Sequence, residues 1–414
     1  MHVLILGAGI IGLTTAWQLV RDGHRVTVID RNPGVGQGAS YANGAQLSYS
    51  YVAPIASAAV LRALPGYLLR PGAVRFQPAA DPAQWAWLIR FLAACTDATS
   101  AANTARLLAL SFHSRDRLNH LEAETGIEFG HARDGKLVIQ SSAASQSDAV
   151  AQMHLQAAFG CDQTALDAAQ CIALEPALSS IADRLAGGIL TPGEESGDCR
   201  QLCEGLHAWL TARGAHFVLN TEAHLAQDGR RIAGVDTSAG RLTADLYVLA
   251  AGTGSTALAR AVKSPVPVLP IRGYSISAPI RASNRLPVRS ITDTARKTVY
   301  ARLGDRMRVA GFAEIGGARA LDLPARSANL SADLQAIFPG ACLETDLQPW
   351  VGLRPATPTG VPLIGPSRID NLWFNLGQGS LGFTLAAGSA SLLGDLLAAR
   401  TPAVAAADYA PPLR

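Results

Sequence analysis

The sequence predicts an α/β protein of two domains, with a dinucleotide-binding parallel sheet in the first, and three observations predict it. A strand, a glycine turn, a helix and a second strand follow one another in residues 2–30. The chain has 414 residues, 49% hydrophobic and 16% charged, too long for one ordinary core and too apolar for disorder. A second strand–turn–helix succession returns at residues 371–397.

The opening element is "HVLIL" (2–6), a leucine-rich and β-branched run that reads as a buried parallel strand. Gly7-Ala8-Gly9-Ile10-Ile11-Gly12 follows as G-x-G-x-x-G and leads into a helical pattern that stops at Gly23. "RVTVID" then supplies a second strand that ends in Asp30, followed by Arg31. The physical roles of this βαβ unit are specific. Gly7 makes the tight turn, Gly9 lets a pyrophosphate approach the backbone, and Gly12 lets helix and strand pack closely. The helix start, with Ile10 and Ile11, offers unpaired N–H groups to phosphate. Asp30 accepts hydrogen bonds from ribose hydroxyls.

Three later stretches choose between NAD and FAD, which share this fingerprint. "GQGASYANGAQL" (36–47) is small and polar, with Ser40, Asn43, Gly44, Gln46 and Leu47 placed to follow a pyrophosphate and ribityl chain. Residues 215–252 read as a β-meander of short runs ("AHFVLN", "EAHLAQ", "RIAGVDT") and then a buried strand, "ADLYVLAAG", ending at Ala251 and Gly252. Residues 371–397 return a long helix to the nucleotide site through Gly377, Gln378, Gly379, Leu381, Gly382 and Thr384. A compact NAD domain ends far earlier, so the cofactor expected is FAD.

Composition narrows the remaining classes. Net charge is +3 with no long basic run, which argues against a nucleic-acid partner. Six scattered cysteines (Cys95, Cys161, Cys171, Cys199, Cys203 and Cys342) contain no C-x-x-C pair and read as reduced thiols. No metal site is expected. The start lacks the basic residues of a signal peptide, and the two most apolar stretches, 51–69 and 381–399, are interrupted by Pro54, Arg62, Pro65 and Asp395. The expected location is therefore cytoplasmic, with peripheral contact on the inner face of the membrane through 51–69 weighed against ordinary packing.

The fingerprint, "SYANGAQLS" (40–48), "ESGDCRQLC" (195–203), "VLAAGTGST" (248–256), "PIRGYS" (270–275), "GLRPATPTGVPLIG" (352–365) and the segment 371–397 together resemble the FAD-dependent D-amino acid dehydrogenase small subunit, within the D-amino acid oxidase, glycine oxidase and sarcosine oxidase group. The resemblance runs from about residue 1 to 400. It implies a two-domain, FAD/NAD(P)-binding Rossmann-like fold: a discontinuous FAD domain (1–50, 191–260 and 345–414) and an antiparallel-sheet substrate domain (51–190 and 261–344) over the flavin. Helical stretches are expected at 81–94 and 103–124, and β-like runs at 266–280, 298–303 and 307–312.

The resemblance also implies chemistry. Arg354 of "GLRP" matches the arginine that holds the substrate carboxylate, where two parallel N–H···O bonds fix orientation as well as position. Tyr274 is a weaker candidate on the substrate side, and strand alternation puts Arg272 on the same surface. Tyr51 and Tyr300 are further contributors at background level. The helix start after Gly377 is suited to the negative charge that develops on a reduced flavin. Relatives often carry His where Gln378 stands, so a proton role is not carried over. The stretch 350–358 holds no Cys to tie flavin covalently, so dissociable FAD is expected. Ala223 matches a main-chain adenine contact. His113, His120, His207 and His224 receive no role.

The leading reading is oxidative deamination of D-amino acids to 2-oxo acids and ammonia, with electrons passed to a quinone or other carrier and a partner subunit allowed. Its rivals are a D-hydroxyproline or D-proline dehydrogenase, a glycine- or sarcosine-type oxidase of the same fold, a non-catalytic flavin-binding subunit, and a nicotinamide enzyme.

Overall fold

The structure, a computed structural model, describes residues 1–62, 72–77, 79–316 and 323–412. Its first core surrounds a six-stranded sheet. In spatial order the strands are Leu363–Pro366, Leu372–Leu376, Leu246–Leu249, His2–Leu6, Arg25–Ile29 and His216–Val218. All neighbours are parallel except Leu363–Pro366 against Leu372–Leu376. Val3, Leu4 and Ile5 are wholly buried, as a strand covered on both faces requires.

The opening helix spans Ile10–Arg21, with Gly9 as N-cap and Asp22 as C-cap, followed by Gly23 at φ +79°. It packs against the long C-terminal helix Gly382–Leu397, and both lie in one core with the helix Asp97–Thr125. Gly388 lets two of these helices meet closely: a Cβ there would lie 2.8 Å from Ser114 Cβ, and the Gly388 N–H donates to Ser114 Oγ at 3.0 Å. The C-terminal helix is long and apolar enough to cross a membrane, but two thirds of its apolar window is buried inside the protein.

A nine-stranded, mainly antiparallel sheet forms the second layer. Its main path runs Gln348–Ala356, Leu269–Pro279, Arg306–Gly316, Thr298–Leu303, Ser290–Asp293, Lys136–Gln140, Gly187–Thr191 and Thr164–Asp167, while Val74–Gln77 pairs with Arg306–Gly316. The helix Leu323–Ile337 and a second apolar core cover one face.

Several spans differ from expectation for identifiable reasons. "HFV" joins the parallel sheet beside Arg25–Ile29 rather than the meander, which consists of His224–Asp228, Arg231–Thr237 and Gly240–Leu242. The helix expected at 103–124 begins at Asp97, because the Thr96 side chain accepts from the Thr99 N–H and caps it earlier. Gln348–Ala356, placed by sequence with residues 345–414, pairs along its length with Leu269–Pro279 in the nine-stranded sheet. Asp97–Thr125, placed with the second domain, buries Leu107, Leu110, Leu118 and Leu121 in the first core. Of the apolar stretch 51–69, residues 63–69 lie outside the described residues.

Candidate active site

Between the two sheets lies a cavity of about 830 Å³. On the parallel-sheet side it is lined by Gly7, Gly9, Ile10, Ile11, Asp30, Arg31, Ser40, Asn43, Gly44, Gln46, Ala223, Ala251 and Gly252, and by Gln378, Gly379, Leu381, Gly382 and Thr384 of the C-terminal turn and helix. Arg354, Tyr274, Ile271, Gly273, Val299, Ala310 and Gly311 line it from the opposite sheet. Segments from both ends of the chain thus meet at one site.

Gly12, Leu47 and Gly377 do not line it. At Gly12 a Cβ would sit 1.8 Å from the Gly7 carbonyl oxygen, so this glycine serves the contact between helix and turn. Leu47 is wholly buried in the first core. Gly377 adopts φ +87° against Thr357, which turns the chain from the strand Leu372–Leu376 towards the helix.

The residues present fit FAD. The N-cap Gly9 has no side chain to cap the helix Ile10–Arg21, and the Ile10 N–H donates instead to Ser40 Oγ at 3.1 Å. Asp30 Oδ2 accepts from the Ala8 N–H at 2.7 Å, while Oδ1 accepts from the Asn32 backbone and side chain at 2.8 and 2.9 Å. The acid therefore tethers the glycine turn and still borders the cavity. The Gly382–Leu397 helix likewise carries no side-chain cap, which leaves its N–H groups for a ligand. Gln378 turns its amide away, donating from Nε2 to Asn375 Oδ1 at 2.7 Å.

Arg354 is half-buried in the opposite wall. Its Nη1 donates to the Phe312 carbonyl at 2.9 Å, and Phe312 reaches that position at φ +63°, a strained angle for a bulky residue. Among the described residues no carboxylate pairs with it. Burial pushes its pKa down to about 10, which still leaves it a cation at neutral pH. A desolvated guanidinium with no counter-ion, facing a cavity, is set to take an anion.

Tyr274 lines the cavity with its ring, but its hydroxyl donates to Glu314 Oε2 at 2.8 Å, and Glu314 also pairs with Arg326. Burial first, and then Glu314, push its pKa up to about 12. Arg272 is absent from the cavity wall. It sits opposite Glu314, the carboxylate that the Tyr274 hydroxyl bonds, in keeping with the expected alternation; the register irregularity lies in the facing strand, where Phe312 and Ala313 stand against Gly273. Tyr51 lines the cavity, whereas Tyr300 is buried away from it. His224 borders the cavity as well.

Three features escaped sequence reasoning. Gly273 makes room for the Arg354 guanidinium, the strained Phe312 carbonyl orients it, and Lys136 stands buried in the wall. Only Lys136 left a signal, as a charge heading the apolar run "KLVIQ".

Comparison with known proteins shows the family and the fold. The chain is 47% identical to D-amino acid dehydrogenase 2 of Ralstonia nicotianae, over 99% of each chain. It is 40% identical to a D-amino acid dehydrogenase of Paramagnetospirillum magneticum, over 98% of this chain and 96% of that one. Among solved structures it is similar in fold to glycine oxidase from Geobacillus kaustophilus, with TM-score 0.78 at 20% identity over 100% and 98% of the two chains. It is also similar to iminodiacetate oxidase from Chelativorans, with TM-score 0.72 at 22% identity over 99% and 98%. The sequence profile described as FAD dependent oxidoreductase matches residues 2–396, and the chain belongs to that FAD-dependent family.

Proposed function

We propose that the protein oxidises the Cα–N bond of D-amino acids, releasing 2-oxo acid and ammonia after hydrolysis of the imino acid. One observation carries this reading: desolvated Arg354, with no carboxylate partner among the described residues, faces the cavity that the nucleotide fingerprint also lines. The full-length similarity to D-amino acid dehydrogenases supports the substrate class.

When bound, FAD supplies the acceptor for the hydrogen and electron pair of the substrate Cα–H. The protein's part is positional. Arg354 fixes the carboxylate with parallel N–H···O bonds, so the amino acid has one orientation in the cavity. The Phe312 carbonyl holds the guanidinium in place. The antiparallel strands wall the cavity opposite the nucleotide fingerprint, and the uncapped start of Gly382–Leu397 favours negative charge beneath it. Gly7, Gly9, the Ile10 and Ile11 amides, Asp30, Ser40 and Ala223 form the nucleotide end of the site.

Electrons leave to a quinone or another carrier. Exposed Leu61, Trp85, Ile89 and Leu92 support a peripheral membrane contact, because Trp87, Phe91 and Ala56 of the same segments line the cavity. Turnover with an artificial dye across D-alanine, D-methionine, D-proline and cis-4-hydroxy-D-proline tests the substrate class. Activity on primary D-amino acids supports the reading. Activity confined to the cyclic substrates, or to glycine and sarcosine with peroxide formed in air, overturns it.

A further inference from the structure

A buried lysine stands in the cavity wall where carboxylate anchoring requires none. Lys136 is 1% exposed and opens the strand Lys136–Gln140. Its Nζ donates to Ser48 Oγ at 2.7 Å and lies 4.4 Å from the centre of the Tyr51 ring. Glu194, on the far side of the same loop, accepts from the Ser50 N–H at 2.6 Å and the Tyr51 N–H at 3.3 Å. It attracts Lys136 and also bonds the Ser48 side chain, so Ser48 bridges the two charges and no direct ion pair joins them. Burying an ammonium without a touching carboxylate is costly. Lys136 borders the cavity, while Glu194 does not.

Position separates two uses of the charge. Four strands stand between Lys136–Gln140 and Gln348–Ala356, the strand of Arg354. Over five steps of roughly 4.8 Å the two backbones lie about 24 Å apart along the sheet, too far for one small amino acid to span. The C-terminal helix is nearer. Ser48, which holds the ammonium on its hydroxyl, donates its N–H to Thr384 Oγ1 at 3.0 Å, in the first turn of Gly382–Leu397. Lys136 and that uncapped helix start therefore flank Ser48 on one side of the cavity.

We propose that Lys136 acts with the helix start as a second positive element that favours the reduced, more negative form of bound flavin, tuning its reduction potential without touching substrate. The proposal rests on the FAD-dependent reading of this cavity. Its physical basis is that a fixed charge inside a desolvated site acts far more strongly than in water.

The test is the two-electron reduction potential of FAD bound to the purified holoenzyme, compared with Lys136→Met, Lys136→Gln and Lys136→Arg. The neutral variants are expected to bind reduced relative to oxidised FAD about tenfold less well, a fall of about 30 mV, while Lys136→Arg stays near wild type. Two neutral variants of different shape keep the test open if one fails to fold. Unchanged potentials in the neutral variants overturn the proposal, as does an equal fall in Lys136→Arg, which would mark packing. Loss of oxidised FAD from both neutral variants also overturns it, since the charge would then serve retention. A wild-type protein that binds no FAD sinks the underlying reading instead.

Discussion

The guanidinium of Arg354 lies over Gly273, where a Cβ would sit 2.3 Å from its Nη2. The two residues belong to paired strands, Gly273 opposite Gly352 and Arg354 opposite Ile271. The absent side chain at 273 is thus what lets the arginine lie along the sheet. Gly273→Ala is expected to raise KM for D-amino acids while leaving bound FAD in place. Steady-state kinetics on flavin-replete protein checks this, and an unchanged KM removes Gly273 from the account.

Arg354→Ala should fold and retain FAD, because among the described residues its one hydrogen-bond partner is the Phe312 carbonyl. Hydrogen bonds to charged groups contribute roughly 1.5–3 kcal/mol each, so kcat/KM is expected to fall by about a hundredfold, mostly through KM.

Tyr274→Phe should be mild in kinetics and visible in stability. Its hydroxyl serves Glu314, which keeps its pairing to Arg326. A loss of about 1 kcal/mol in unfolding free energy is expected, with kcat/KM nearly unchanged. A large fall in kcat would return Tyr274 to a direct role.

Asp30→Ala is expected to weaken FAD binding by at least about fivefold, since one or more net hydrogen bonds of about 1 kcal/mol are lost and the Ala8 amide is untethered. Equilibrium titration of the flavin-free protein with FAD measures it. The effect belongs in the dissociation constant, not in KM for the amino acid.

Lys136 predicts a pH dependence of stability. Burial lowers its pKa from 10.5 to about 8, with Glu194 opposing the shift. Between those pH values the unfolded chain holds more protons than the folded one, so this group makes stability rise with pH. Below about pH 8 both states are protonated and the cost of the buried charge is present in full. The stability of Lys136→Met relative to wild type should therefore be most favourable below pH 8 and decline towards pH 10.5, by up to about 3 kcal/mol. Denaturant midpoints across that range read it, and a flat difference contradicts it.

Local chemistry made the nucleotide half of the molecule readable. Gly7, Gly9 and Gly12 lie at fixed spacing between a strand and a helix, and each has a single steric purpose, so the fingerprint needed no tertiary information. The long helix after Gly377 was equally plain. The opposite wall was harder, because it is assembled by strand pairing between distant segments. Nothing near "GLRP" announces that its strand joins Leu269–Pro279, or that Arg272 faces Glu314 rather than the cavity. Phe312 carries no mark of its φ of +63°. Lys136 was visible as a charge, but its burial depends on Ser48, Tyr51 and Glu194, which lie far from it in the chain.

Anaerobic rapid mixing of the flavin-bound protein with D-alanine tests most directly whether Arg354 anchors a substrate that reduces the cofactor. Wild-type protein should lose its visible flavin absorbance in a single turnover, with half-saturation at far lower substrate than Arg354→Ala. A wild-type flavin that stays oxidised, or a variant that saturates at the same concentration, would contradict the account.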